Sequence, residues 1–314
     1  RDQCPSIERS EMARNFIGVV TGLALWLAIA IVAGLIMRET WPAYASVADA
    51  SGNSVTSLEP TDLRVMEGGV EAKILKVEPV NWPVKVQLLL DNGVGLGSGN
   101  LQILKDGVKG LIEALPDNLE VTIVTTAPQP RFLVRPTTDK AMMVDGLSRL
   151  APDSGAGRFV ESMNEATQRI EKDKTDHFPV IIMAGTSSGD TNVMDRDVKR
   201  IFERIQKKPT TVHVVLLNST TGSASGGANQ TQVGMAVTEA TRGRFENIAA
   251  PTRLATLLPE IGKQVAGSVD KMSNQFRLTV ERPAGAKGDI GQVGAGARGG
   301  LVLRGLSMDG RLPQ

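Results

Sequence analysis

From Val84 onward, short apolar runs alternate with stretches of helical period, and that alternation limits the fold more than any other feature of the chain. Val84 to Leu90 (VKVQLLL) ends as a continuous apolar run, the pattern of a strand buried on both faces of a parallel sheet. A glycine-rich turn, Gly93 to Gly99, leads into Asn100 to Leu115, where Leu101, Leu104, Val108, Leu111, Ile112 and Leu115 share one helical face. Leu119 to Thr125 reads as the next strand and Arg131 to Val134 as a short antiparallel partner. Helices follow near Ala141 to Leu150 and around Phe159, Val160, Met163 and Ile170. Val180 to Met183 is another buried strand. Val198, Ile201, Phe202 and Ile205 stripe the next helix, Val212 to Leu217 is a strand, and Leu254, Leu257, Leu258, Ile261 and Val265 stripe the last helix. This order predicts an α/β fold: a doubly wound, mainly parallel sheet with helices on both faces, over residues 81–270.

The flanks read differently. Phe16 to Met37 contains no charge and, as a helix at about 1.5 Å per residue, would span a hydrocarbon core of about 30 Å. Arg1, Arg9 and Arg14 precede it, and after Arg38 no Lys or Arg occurs until Arg64, so the basic bias leaves residues 1–15 in the cytoplasm and the bulk outside. The segment is expected to be a retained single-pass inner-membrane anchor. Alternatively it is a signal peptide cut near Ala43-Tyr44-Ala45, with Met12 as a start, which would leave a secreted or periplasmic protein. Residues 38–80 read as a small-residue linker, Glu39 to Asn53, and a small β segment split by Gly68-Gly69. Residues 271–314 read as a β tail around a Gly-rich loop. Gly285, Gly288, Gly291 and Gly294 keep a collagen-like period there, but the run is too short for a triple helix and reads as a flexible hairpin loop.

Composition narrows the function classes. With 35 basic and 34 acidic residues the net charge is +1, and no basic stripe interleaved with aromatics suggests nucleic acid. A single cysteine, Cys4, excludes an intramolecular disulfide and a cysteine zinc site. The glycines at 93, 95, 97 and 99 fit neither the dinucleotide nor the phosphate-loop spacing. No serine stands in a nucleophile elbow. His213 reads as a packed strand residue and His177 as a solvated loop residue.

Several local phrases, taken in order, resemble the exported bacterial group of von Willebrand factor A-type domains. They are Val47 to Asn53 with Leu63 to Gly69, Val86 to Gly93, Ala236 to Phe245, Gln275 to Arg282 and Gly300 to Gly310. The resemblance implies a loop of pattern Asp-x-Ser-x-Ser, a Thr from a second loop and an Asp from a third, together holding a divalent cation. Oxygen ligands of that kind suit Mg²⁺. Here the first loop reads Asp91-Asn92-Gly93-Val94-Gly95, the second offers only Ser154, and Gly185 stands where the third Asp is expected. Asp91, Ser154 and Asp190 are remnant candidates of a degenerate site, and no metal or cofactor is expected, with weak Mg²⁺ binding as the alternative.

The expected function is a non-enzymatic, extracytoplasmic protein–protein interaction or adhesion domain, metal-independent, with another envelope or extracellular protein as partner. The alternatives are a weakly cation-dependent adhesion domain and an enzyme with a site at the same rim. Open α/β sheets bind ligands at the carboxyl ends of their strands. The contact candidates are therefore Asn92, Asn100, Arg158, Thr186, Ser187, Ser188 and Asn192, beside an adaptable loop from Ser219 to Thr231.

Overall fold

A computed structural model describes residues 39–189, 195–219 and 224–308. The apolar stretch 16–37, Cys4, Asp190 and Asn192 lie outside the described residues. Among the described residues no helix is long and apolar enough to cross a membrane.

The α/β unit is a three-layer structure. Its sheet runs β6-β5-β4-β7-β8-β9 in space, built from β4 (Val84–Leu90), β5 (Glu120–Thr125), β6 (Arg131–Thr137), β7 (Phe178–Thr186), β8 (Thr211–Leu217) and β9 (Phe245–Ile248). All neighbours pair parallel except β5 with β6. The helices are α1 (Ser98–Ala114), α2 (Lys140–Ser148), α3 (Phe159–Lys172), α4 (Asp195–Lys207), α5 (Ala224–Thr241) and α6 (Leu254–Ser273).

Because consecutive strand residues point to opposite faces, the central strands are sorted between two cores. Leu88, Leu90, Val180, Ile182 and Val215 pack with α1, α2 and α6. Leu89, Ile181, Met183, Val214 and Leu216 pack with α3, α4 and α5. All nine residues of β7, in the middle, are buried. That is why the run at Val180 to Met183 lacks alternation. Asp139 starts α2, its carboxylate accepting the amides of Ala141 (2.8 Å) and Met142 (3.2 Å), as an N-cap should.

The two flanks form one unit rather than two. Strands β1 (Thr40–Ala48), β2 (Leu63–Glu67), β3 (Val70–Val80), β10 (Gln275–Glu281), β11 (Val293–Ala297) and β12 (Val302–Ser307) make a second sheet in the order β11-β2-β3-β10-β1-β12. The small-residue linker expected at Glu39 to Asn53 is corrected here. Residues 40–48 are an interior strand between β10 and β12, with Trp41, Ala43, Ala45 and Val47 in the core. Alanine reads as a linker residue, yet it is what a closely packed interior face accepts. The Ala43-Tyr44-Ala45 cleavage motif thus lies inside a strand. Part of the expected Gly-rich hairpin loop is also a strand: β11 pairs along β2, from Val293 opposite Glu67 to Ala297 opposite Leu63. Glycine lacks a side chain to pack but keeps both backbone hydrogen-bonding groups, so it can still extend an edge.

Trp82 joins the two units, its ring 6.1 Å from Tyr44 of β1 and 5.3 Å from Phe178 of β7. His177, expected in solvent, is buried there at 4% exposure. Its Nδ1 lies 2.9 Å from the Thr175 carbonyl oxygen and 3.6 Å from Asp173. The position next to a fully buried strand, not the charged neighbours in sequence, decides its environment.

Candidate functional site

The carboxyl ends of β4 and β7 bring together Asp91 and Thr186. Asp91 follows β4 directly and is 3% exposed. One carboxylate oxygen, Oδ1, accepts the Gly93 amide at 2.8 Å. The other, Oδ2, accepts both the Thr186 hydroxyl (2.8 Å) and the Thr186 amide (3.2 Å). Burial pushes the Asp91 carboxyl above the usual carboxylate range, while the donors from Gly93 and Thr186 oppose that push.

The glycines around Asp91 are close-packed positions. A Cβ on Gly95 would overlap Ser188 Oγ and come within 2.7 Å of Thr186 Oγ1. A Cβ on Gly157 would sit 2.5 Å from both Asp91 carboxylate oxygens, and one on Gly93 would meet the Gly155 carbonyl oxygen at 2.6 Å. The second loop therefore presents Gly157 backbone to the carboxylate. Ser154, the sequence candidate, is exposed at the rim. A Mg²⁺ ion wants about six oxygens in near-octahedral geometry. Among the described residues, one carboxylate already holding three donors, with the Thr186 and Ser188 hydroxyls beside it and glycines at positions 93 and 95, supplies only part of that shell. Among the described residues no group of three His, Cys, Asp or Glu side chains could hold a metal ion.

Three contact candidates turn inward, a correction to the expected rim. Asn92 (7% exposed), Thr186 (1%) and Ser188 (7%) are buried. The Asn92 amide donates to the Ala151 carbonyl at 2.9 Å and its Oδ1 accepts from Ala127 N at 3.3 Å, so it ties loops together. Ser188 Oγ donates to Thr186 Oγ1 at 3.4 Å. Asn100 donates to the Leu96 carbonyl at 2.8 Å, stapling the start of α1. Ser187 Oγ accepts the Ser219 amide at 3.1 Å, and the Ser219 hydroxyl donates to the Gly95 carbonyl at 2.7 Å. Arg158 is half-buried and lies 3.7 Å from Glu161. Polar residues at strand ends read as ligand contacts in sequence, but here their first partners are the neighbouring loops.

The loop expected from Ser219 to Thr231 is also corrected, because α5 begins at Ala224. Val233 and Val237 bind this helix to the sheet, and such packing overrides the poor helix propensity of Gly226 and Gly227. The same helix carries Gln230, fully buried, next to Gly189, where a Cβ would overlap its Nε2. Sequence reasoning missed Gln230 and Gly157, since neither residue type stands out in a Gly- and Gln-containing stretch. At the opposite end of the sheet, a groove of about 430 Å³ is lined by Tyr44, Trp82, His177, Arg204 and Lys207 among others.

His213, in β8, is 3% exposed, and its Nδ1 accepts the Arg244 amide at 3.2 Å. Desolvation, with a smaller contribution from Arg244, lowers its pKa to about 4. It is the packed residue that its strand position implies.

Comparison with known proteins agrees with this architecture. Residues 86–188 match the von Willebrand factor type A domain family. The chain is similar to a solved von Willebrand factor type A protein from Catenulispora acidiphila, at 13% identity and a TM-score of 0.51, covering 86% of this chain and 74% of that one. It is also similar to the conserved hypothetical protein BatB from Bacteroides thetaiotaomicron, at 16% identity and a TM-score of 0.43, covering 58% of this chain and 98% of that one. No curated protein matches it. At these identities the structural likeness bears on fold alone: the α/β unit has the fold of a von Willebrand factor type A domain, and residues 86–188 of it match that family.

Proposed function

We propose that this chain is a non-enzymatic interaction protein whose A-type domain binds another envelope or extracellular protein without a cation. Domains of this type are generally protein-interaction modules. The observation that carries the metal-free reading is the Asp91 carboxylate, whose two oxygens are already taken by Gly93 and Thr186. Contact would then fall to what the rim leaves outside: Val94, 44% exposed, with Ser154 beside it and the half-buried Arg158. The uncharged stretch 16–37 and the basic residues before it support an extracytoplasmic location, held by a single anchor.

The test has two arms. Calorimetric titration with Mg²⁺, Mn²⁺ and Ca²⁺ on wild type and Asp91→Ala should detect no binding that depends on Asp91. Millimolar or tighter binding abolished by the substitution would sink the metal-free reading in favour of a weak cation site. Affinity capture from envelope extract should enrich a partner equally with and without EDTA, and a Val94→Asp variant should lose it. A partner retained by Val94→Asp, or none enriched, would overturn the rim assignment.

A further inference from the structure

The end of the β unit where β1 begins is built around Arg282. Its backbone amide donates to the Glu39 carbonyl and its guanidinium to the Glu39 carboxylate, both at 2.9 Å. The same guanidinium donates to the carbonyls of Gly288 (2.7 Å) and Asp289 (3.2 Å) and pairs with buried Glu67 at 2.5 Å. Glu67 leads into the Gly68-Gly69 turn, and the Gly68 amide donates to the Gln292 carbonyl at 2.9 Å. One side chain thus fixes Glu39, the β2–β3 turn and the 283–292 loop at a common end.

Two large apolar side chains stand exposed at that end, Val70 at the start of β3 (57%) and Ile290 on the 283–292 loop (40%). Only Arg38 separates Glu39 from Met37, the last residue of the uncharged apolar stretch. Two residues reach at most about 7 Å. Arg64 and Arg298 both pair with Glu71 at 3.2 Å, and with Lys73, Lys287 and Asp289, all exposed, they leave the patch mildly basic.

We infer that this end of the β unit docks on the surface of the bilayer that holds residues 16–37, with Val70 and Ile290 entering the interface. The inference rests on the anchored reading given above. Apolar side chains amid mixed charges suit the headgroup boundary. The basic excess strengthens the docking on anionic lipid without being required for it.

The full chain, with Cys4→Ser so that only an introduced cysteine is labelled, is placed in phosphatidylcholine nanodiscs with and without phosphatidylglycerol. An environment-sensitive fluorophore is attached at Val70→Cys, Ile290→Cys or Val302→Cys. Val302 is the control, because it is 52% exposed and pairs with Ala48 at the far end of β1. Eight residues at about 3.3 Å each put that end roughly 26 Å away. Lipids spin-labelled near the headgroup should quench the first two sites severalfold more than the third in both lipid mixtures, and more strongly with phosphatidylglycerol. A chain that enters the nanodiscs but is quenched alike at all three sites overturns the docking and leaves the anchor standing. Quenching confined to the phosphatidylglycerol discs overturns the apolar insertion of Val70 and Ile290 in favour of a purely electrostatic contact. Failure to enter either nanodisc overturns both readings.

Discussion

Thr186 donates both its hydroxyl (2.8 Å) and its amide (3.2 Å) to a single oxygen of Asp91, across 95 residues of sequence. The bond ties the end of β7 to the end of β4 and occupies the carboxylate oxygen that faces the third loop. Asp91 is therefore part of the domain's own framework, and its removal has a structural cost whether or not a partner is present.

Asp91→Ala strands the Gly93 and Thr186 donors in a buried site. The expected loss is about 2–3 kcal/mol of folding stability, with Asp91→Asn losing less because it keeps an acceptor oxygen. Urea unfolding of the two variants measures this. Stability unchanged or raised in Asp91→Ala would mean that the carboxylate is a strained, uncompensated charge instead.

Gly95→Ser returns the hydroxyl that an A-type metal loop would carry. Its Cβ would overlap Ser188 Oγ and crowd Thr186 Oγ1. Overpacking of this kind costs typically 1–3 kcal/mol. The variant should melt earlier than wild type with or without added Mg²⁺, and Gly157→Ala should behave alike. A melting temperature that rises with Mg²⁺ in Gly95→Ser would show that the loops can reopen into a cation site.

His213 makes stability depend on pH. Its folded pKa of about 4 lies below its value of 6.5 outside the fold. The unfolded chain thus takes up the proton first, so the contribution is fully present above pH 6.5 and is lost as pH falls towards about 4. The full window corresponds to on the order of 3 kcal/mol. His177, also lowered by burial, adds in the same direction. Asp91 works oppositely: its raised pKa favours the fold below 3.8 and that contribution fades as pH rises through the folded value. Chemical denaturation across pH 4 to 7 should show a slope that His213→Gln reduces, and an unchanged slope would remove His213 as its source.

Cleavage after Ala45 would remove Thr40 to Ala45 from an interior strand, along with the core residues Trp41, Ala43 and Ala45. A chain beginning at Ser46 should fail to give a cooperative, soluble β unit in size-exclusion and thermal unfolding measurements. Sequencing the mature protein from membrane and soluble fractions should find no terminus at Ser46.

The sequence by itself determined the α/β class, which strands are buried on both faces and the antiparallel edge strand of the α/β sheet at Arg131, because apolar periodicity is a local record of which faces are covered. It also marked Asp91 and the missing hydroxyls at positions 93 and 95. Only the tertiary structure decided what those positions do. Asp91 meets Thr186, Gly157 and Gly93 through contacts between chain-distant loops, which no local pattern encodes. The same holds for the flanks, where Ala43, Ala45 and Gly294 read as linker or loop until strands from both ends of the chain pair in one sheet. Small residues carry little propensity of their own, so their structure is set by what packs against them.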